Sequence, residues 1–238
     1  MKTAVIVAAG KSSRLYPLTL DTPKGLLEVN DQKILKRSVE LLKQEGIEKI
    51  YIVVGYLKEM IISQFENDSS IEFIYNPFYE QCNNMGSLWF ASHYLNNRPF
   101  LYLHGDIIYE ASLLRSLLNK REEGDSLIDL LVDTSEFDEE SMKVTFDNDH
   151  NLVESSKEIP LDKSMGEWIG IAAINKPSIV FSSFENVFKN NGLNFYDTYS
   201  FALLAKEHNI KCISTHKSKW IEVDFLEDYE RAKEIFCE

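Results

Sequence analysis

The residues whose types and spacing could do chemistry are spread along the chain, from its first thirty residues to its last twenty. Near the start, Lys11 and Arg14 sit among small residues in the run Ala8, Ala9, Gly10, Lys11, Ser12, Ser13, Arg14, and Lys24 follows Pro23. The apolar residues 3–9, rich in Val and Ile, stop at Gly10, which is the profile of a buried strand opening onto a loop. Small residues let backbone N–H groups approach an anion and the cations neutralise its charge, so the stretch suits a phosphate. On its own, a solvated surface loop is the plainer reading. Further along, two acids end apolar runs: Asp106 follows residues 100–104 and Gly105, and Asp224 closes residues 220–223. Either could simply cap the helix after it. Together they would form a hard-oxygen pair suited to Mg2+ held between carboxylates and substrate phosphates. Cations facing such a pair are what phosphoryl or nucleotidyl transfer needs, because its transition state gathers negative charge.

Bringing these groups to one rim demands a particular fold. Strand-like runs recur at 4–7, 49–54, 71–75, 100–104 and 127–132. Helical periodicity fills 34–44, 58–65, 84–95 and 111–120, with Leu35, Val39 and Leu42 on one face of the first. This alternation predicts right-handed βαβ units in an α/β, doubly wound, mostly parallel (Rossmann-like) sheet, with ligands at the carboxyl ends of the strands. From Asp133 the rhythm shortens to alternating segments at 143–146, 152–155 and 168–174, separated by turn residues at 148–149 and 163–166. That predicts a small antiparallel β insertion over 133–175. Helical period returns at 178–188 and 198–207, then strands at 211–215 and 220–223 and a last helix at 226–236. With no repeats and no Ser/Gly-rich linker, residues 1–238 read as one domain. The acidic run 136–140 reads as a solvated loop or helix start.

Composition narrows the function classes. The chain has 238 residues, enough for one sizeable α/β domain, and a net charge of −13 that argues against general nucleic-acid binding. An acidic protein still binds small anions where its few cations converge. Cys82, Cys212 and Cys237 fit no metal spacing, and their odd count speaks against a disulfide framework, so a reducing cytoplasm is the expected compartment. Residues 3–9 are short for a signal peptide and lead directly into Lys11 and Arg14, and no apolar stretch approaches membrane-spanning length. The expected partners are therefore small molecules, with no nucleic acid and no membrane, for a monomer or homodimer.

The 22 residues AAGKSSRLYPLTLDTPKGLLEV resemble, in order and spacing, the signature of the nucleotidyltransferase family that activates sugar phosphates and small phosphorylated alcohols. Asn83-Asn84-Met85-Gly86-Ser87-Leu88 is similar to the Asn-Asn-x-x-Ser-Leu stretch of its cytidylyltransferase branch, which includes phosphocholine and 2-aminoethylphosphonate enzymes. Gly105-Asp106 resembles the family's metal Asp, Glu222-Val223-Asp224 its closing motif, and Lys143, Ser156-Lys157 and Gly166-Glu167-Trp168 the branch's acceptor-side insertion.

The resemblance implies a division of labour. Ala8 to Ser13 would wrap the nucleotide, with Arg14 on the β- and γ-phosphates and Lys24 on the α-phosphate and the acceptor phosphate. Asn84 and Ser87 would hydrogen-bond the base edge, supported by Asn83. Asp106 and Asp224 would hold Mg2+, and Lys143, Glu167 and Trp168 would face the acceptor. The expected reaction transfers CMP from CTP to a small phosphorylated acceptor, phosphocholine or a related phosphonate or phosphopolyol, and releases pyrophosphate. Two positions depart from the pattern. Ser12 stands where the family usually has Gly, at a cost of about 1 kcal/mol if the site requires positive φ. Gly86 stands where the phosphocholine and phosphonate enzymes usually carry Tyr, as in the sugar-phosphate branch.

Other readings stay open at this point. A sugar-1-phosphate uridylyl- or thymidylyltransferase is the rival enzyme, supported by Gly86 but short of room for larger sugar-binding inserts. A catalytically inactive nucleotide-binding regulatory protein is the rival of a different class, opposed by the joint presence of Lys24, Asp106 and Asp224. His104 reads as structural, since an attacking phosphate is already an oxyanion and needs no base. Cys82 reads as packing. Phe195, Tyr196, Tyr199 and Phe201 could cage a quaternary ammonium, though their spacing fits core packing equally well.

Overall fold

The computed structural model describes residues 1–95, 97–120 and 125–237. Its elements in chain order are β1 (Thr3–Ala8), β2 (Glu28–Val29), β3 (Gln32–Lys33), α1 (Ile34–Gln44), β4 (Lys49–Val54), α2 (Lys58–Ser63), β5 (Ile71–Tyr75), α3 (Asn84–Trp89), β6 (Phe100–His104) and β7 (Ile107–Tyr109). There follow α4 (Ala111–Lys120), β8 (Ile128–Asp133), β9 (Lys143–Phe146), β10 (Leu152–Ser156), β11 (Gly166–Ile174), α5 (Pro177–Asn191), α6 (Asp197–Leu204), β12 (Ile210–Ser214), β13 (Trp220–Glu222) and α7 (Leu226–Ile235).

A mixed α/β sheet organises the chain. Its parallel part runs β5-β4-β1-β6, with Val5 of β1 level with Tyr51 of β4 and Tyr102 of β6. β1 is central because it is apolar on both faces. Ala4 and Ile6 point into one layer, with Leu35, Val39 and Leu42 of α1, and Val5 points into the other, with Met85 and Leu88 of α3. Successive strand residues alternate faces, so one six-residue strand anchors both layers. Each buried aliphatic side chain contributes about 1.5–3 kcal/mol, which is why the rim above β1 has a rigid floor.

The antiparallel segment is more than an appendage. β11 pairs with β6 through residues 171–174 and with β8 along its length, so it forms a seam inside the main sheet, and β12 runs parallel to β8 beyond it. Only β9 and β10 hang off its start. The seam bends at Gly170, where φ is +77° and a Cβ would fall 2.6 Å from Ile107 Cδ1 and 2.7 Å from His104 Nδ1. Glycine alone tolerates both conditions. The bend lets residues 166–168 leave for the insertion while residues 171–174 stay in the sheet. Strand 168–174 was expected in a separate patch because its alternation carries no record of which neighbours it pairs with.

Three short strands escaped the sequence reading. β7 follows Asp106 directly and pairs antiparallel with β13, Ile107 opposite Glu222, and β2 and β3 form a short hairpin. The β7–β13 ribbon, with Leu15, Leu27, Ile108, Ile221 and Val223, makes a small third core that ties the first loop to the end of the chain. α3 stops at Trp89 and continues as turns rather than reaching residue 95, and the predicted helix 198–207 ends at Leu204. Among the described residues, no helix is long and apolar enough to cross a membrane.

Candidate functional site

Above the carboxyl ends of β1 and β6 lies an open cleft of about 730 Å3. The β7–β13 pairing, with Val223 N–H donating to Asp106 O at 3.1 Å, brings together two acids that are 118 positions apart. Neither acts as a helix cap. Asp228 accepts from the N–H groups of Asp224 at 3.0 Å and Phe225 at 2.8 Å, so the Asp224 carboxylate is free to face the cleft. Lys24, in a short turn after Pro23, places Nζ 2.6 Å from Asp106 Oδ2 and 2.7 Å from Asp224 Oδ1. Arg14 Nη2 donates to Asp224 Oδ2 at 2.7 Å while its guanidinium lies 5.0 Å from the centre of the Phe225 ring. The four groups, drawn from the start, the middle and the end of the sequence, form one cluster.

The loop beneath them has left-handed backbone at Ser12, φ 53° and ψ 47°. Its carbonyl accepts from the hydroxyl of fully buried Thr19 at 2.8 Å. Ala9, Gly10 and Ser12 line the cleft. Ala8 ends β1 and Ser13 opens a turn, both outside the lining, and Lys11 pairs instead with Glu80.

At the α3 end, Asn83, Asn84 and Ser87 all reach the cleft. Asn83 Oδ1 accepts from Asn84 N at 2.9 Å, capping α3. Gly86 answers to packing: a Cβ there would sit 2.6 Å from Cys82 Cβ and 2.8 Å from its sulfur. The turn that carries Cys82, rather than a choice of base or acceptor, excludes a larger residue.

At the insertion end, Glu167 and Trp168 line the cleft, joined by Lys157, Asp138 and Glu140. Lys143 does not. It is fully buried and donates to Glu139 O at 2.7 Å, because its position on β9 faces the underside of the loop 134–141 instead of the cleft. The aromatic group does not close into a cage either. Phe201 is core, against Trp168 and Phe184, Phe195 and Tyr199 pair with each other at 4.7 Å, and Tyr196 alone of the four reaches the cleft.

Electrostatics follow from this crowding. Burial acts to lower the Lys24 pKa, but Asp106, Asp224 and Glu222 outweigh it and hold the ammonium above its usual range. Burial acts to raise Asp224, and Lys24 and Arg14 override it, keeping its pKa below the usual carboxylate value. Glu222, buried beside Asp106 and Asp224, is pushed up to about 8. Burial also works against a charged His104, yet Asp197, Asp106 and Glu222 together lift it to about 9. At the insertion end, burial pushes Glu167 up to about 7, with Asp138 and Asp133 adding to it.

The acids fit a hard divalent cation. Asp106 Oδ1 is buried without a hydrogen-bond partner among the described residues, and donor atoms of His104, Asp106 and Glu222 lie within 4.8 Å of one another. Glu222 was visible in the sequence only as part of the strand before Asp224. Of two further residues, Asp197 had no recognisable signal and Asn76 only its place in Asn76-Pro77-Phe78-Tyr79, a run that resembles the cytidylyltransferase branch. Asp197, fully buried, accepts from Tyr102 Oη at 2.6 Å and lies 3.4 Å from His104 Nε2. Asn76, also fully buried, donates to Ser87 Oγ at 3.0 Å.

Known proteins resemble this chain over most of its length. CTP:phosphoglutamine cytidylyltransferase of Campylobacter jejuni is 29% identical over 95% of this chain and 97% of its own length. Choline-phosphate cytidylyltransferase of Streptococcus pneumoniae is 38% identical over 40% of this chain and 41% of its own. The solved structure of CTP:phosphocholine cytidylyltransferase from Streptococcus pneumoniae shares the fold, with a TM-score of 0.78 at 21% identity and full coverage of both chains. The model of the nucleotidyl transferase family matches residues 3–234, and the chain belongs to that family.

Proposed function

We propose that this protein is a Mg2+-dependent cytidylyltransferase that moves CMP from CTP onto a small phosphorylated acceptor and releases pyrophosphate. The observation that carries the reading is Lys24, whose Nζ lies between Asp106 and Asp224 with Arg14 on the second of them. Such a cluster holds both signs of charge that a triphosphate and its cation need within one hydrogen-bond radius. Asp106 and Asp224 would hold Mg2+, which when bound neutralises triphosphate charge. Arg14 then pairs with the leaving pyrophosphate, and Lys24 with the α-phosphate and the incoming acceptor phosphate. An acceptor oxygen forms the new bond to the α-phosphorus as the bond to pyrophosphate breaks. The acceptor is already an anion, so no side chain has to take a proton, and alignment with charge neutralisation suffices.

The relatives' substrates support CTP, since the two curated proteins above are both named as cytidylyltransferases. Without an aromatic cage, Glu167, Trp168, Lys157 and Tyr196 remain to receive the acceptor head group. Phosphocholine, aminoalkyl phosphonates, phosphopolyols and phosphorylated glutamine form the test set. Pyrophosphate release is measured for four nucleoside triphosphates against these acceptors and hexose 1-phosphates, with Mg2+. CTP with one of the small acceptors is expected to win. A win for UTP or dTTP with a hexose 1-phosphate overturns the assignment. Lys24→Ala is expected to lower turnover by about 10^3-fold or more, the scale of a lost charge stabiliser; a regulatory protein would keep its biological effect in that variant.

A further inference from the structure

A second cavity, of about 270 Å3, shares no lining residue with the catalytic cleft. The β2–β3 hairpin supplies residues 29–32 of its wall, α1 supplies Ile34 and Arg37, and Ile108 of β7 and Phe236 complete it. Val29, Ile34, Ile108 and Phe236 make most of that wall apolar, and Arg37 is its cation. We propose that this cavity binds a small monocarboxylate with a compact apolar body, independently of the reaction in the cleft.

Arg37 asks for such a partner. Arg14, Arg115 and Arg231 each have a carboxylate oxygen within 3.3 Å. Arg37 is half-buried and forms no ion pair among the described residues. Its Nη1 makes one long bond, 3.3 Å, to Gln32 Oε1, and its Nε is buried with no hydrogen-bond partner among the described residues. Gln32 cannot turn to offer more, because its Nε2 donates to Glu40 Oε2 at 2.6 Å. The guanidinium lies 5.1 Å from the centre of the Phe236 ring, a cation–π contact that softens the charge and uses none of the N–H groups. A guanidinium carries five N–H donors, and a partly desolvated charge that leaves most of them unmet is costly. An anion in the cavity supplies what the chain does not.

Three features narrow the anion. The planar fork of arginine matches a carboxylate through two parallel bonds. The four apolar side chains favour a ligand with a hydrocarbon body over a bare ion, since only the former removes their surface from water. Asp31, exposed, lines the same cavity and opposes a second negative charge, which favours a carboxylate over a phosphate dianion. The volume is about nine waters' worth, just under the range of drug-sized pockets, and too small for a nucleotide. Ile108 pairs with Ile221 in the ribbon that sets Asp106 beside Asp224, so the bound molecule would rest against that ribbon.

The test uses benzoate as the probe, and NMR to follow the Arg37 Nε–H signal and the methyl signals of Ile34 and Ile108. Benzoate is expected to shift all three along one saturating curve, with a Kd on the order of 1 mM. Benzylamine, the same ring with the opposite charge, is expected to shift none of them, and phenyl phosphate to bind more weakly than benzoate. Arg37→Gln is expected to weaken benzoate by about 10-fold or more, the scale of a lost charge-assisted hydrogen bond. Arg37→Lys should recover only part of the loss, since an ammonium keeps the charge without the fork. Saturating CTP and Mg2+ should leave the benzoate Kd within about twofold, as expected of sites with no shared partners.

The ligand series on the unaltered protein decides the inference even where a variant does not fold. It is overturned if benzoate leaves the three signals unmoved, if benzylamine binds as well, or if phenyl phosphate binds more tightly. Unchanged benzoate affinity in both Arg37 variants overturns it too. So does a loss of benzoate binding under saturating CTP, which would place the carboxylate on the cations of the catalytic cleft.

Discussion

The two ends of the cleft are built by different physical means. At the α3 end Asn84 and Ser87 are neutral and backed by buried partners: Asn76 and Asp197 are both fully buried, and Asn76 donates to Ser87 while the backbone of Asp197 donates to Asn84. At the insertion end the groups are charged and their partners exposed. Lys157 lies 3.9 Å from Glu140, and Arg231 reaches Glu136 at 3.3 Å, with carboxylate side chains 71% and 81% exposed. A neutral amide or hydroxyl discriminates only by which way its dipole points, so it needs a fixed backing. A full charge acts over a longer range and tolerates a looser frame. The α3 end should therefore be rigid and costly to alter, and the insertion end cheap to alter and tunable by pH.

The hardest blow to that contrast falls on Asp197. Replacing it with Ala strips the acceptor from Tyr102 Oη and the counter-charge from His104, both in the interior. Breaking a buried pair this way costs about 3–5 kcal/mol, to be measured by denaturant unfolding. The CTP:UTP affinity ratio should survive in whatever fraction folds, because Asn84 is held by the backbone N–H of residue 197 and not by the carboxylate. Loss below about 1 kcal/mol would mean that the α3 end is no stiffer than its counterpart.

Glu167 tests the other end. Its pKa is raised by burial to about 7 from the usual carboxylate 4.5. A raised folded-state value means that the native protein holds the proton more tightly than the unfolded chain. The resulting stability is complete below pH 4.5, declines as pH rises, and is gone above about 7. Glu167→Gln removes the titration. The difference in unfolding free energy between variant and parent should grow from pH 4.5 to 7 and then level off, at about 2–3 kcal/mol. A difference that does not change with pH would contradict the assigned environment.

Ser12 lies between the ends, at the foot of the cluster of Arg14, Lys24, Asp106 and Asp224. Its left-handed backbone carries no side-chain cap to offset the strain, so Ser12→Gly should raise stability by about 1 kcal/mol. If its hydroxyl also touches phosphate, the same change weakens CTP binding, and calorimetry separates the two effects.

How much of this was legible follows from what each feature is encoded by. β1, α1, β4, β5, β6 and β9 match the pattern-based ranges to within a residue or two, because apolar periodicity is a local signal. Lys24, Asp106 and Asp224 were legible as strand-end and loop residues, and their meeting followed from the rule that such ends share a rim. The three-residue β7 was hidden, being too short to show a period, although it is the ribbon that sets the two acids side by side. Lys143 was misjudged because one residue of register decides whether a strand side chain faces a cleft or the body beneath it. Asn76 with Ser87, and Asp197 with Asn84, are joined across 11 and 113 positions by single hydrogen bonds. A buried polar residue of that kind looks, in sequence, like any other Asn or Asp in a loop.

The smallest effect is expected at Arg231, and its smallness matters to the comparison. Its guanidinium bonds Glu136 across the mouth of the cleft, but the two side chains are 62% and 81% exposed. Exposed pairs exchange protein contact for water at little gain, so Arg231→Ala should change stability by no more than about 0.5 kcal/mol. Stability and recognition then separate at this end. The variant leaves one more uncompensated acid near Asp138 and Glu140, which favours a cationic acceptor and opposes an anionic one, and raising salt should shrink the change. Acceptor KM measured at low and high ionic strength, with unfolding followed in parallel, reads both quantities. A stability loss approaching that of Asp197→Ala would mean that the insertion end is framed as firmly as the α3 end, and the distinction between a cleft wall that reads direction and one that reads charge would fail.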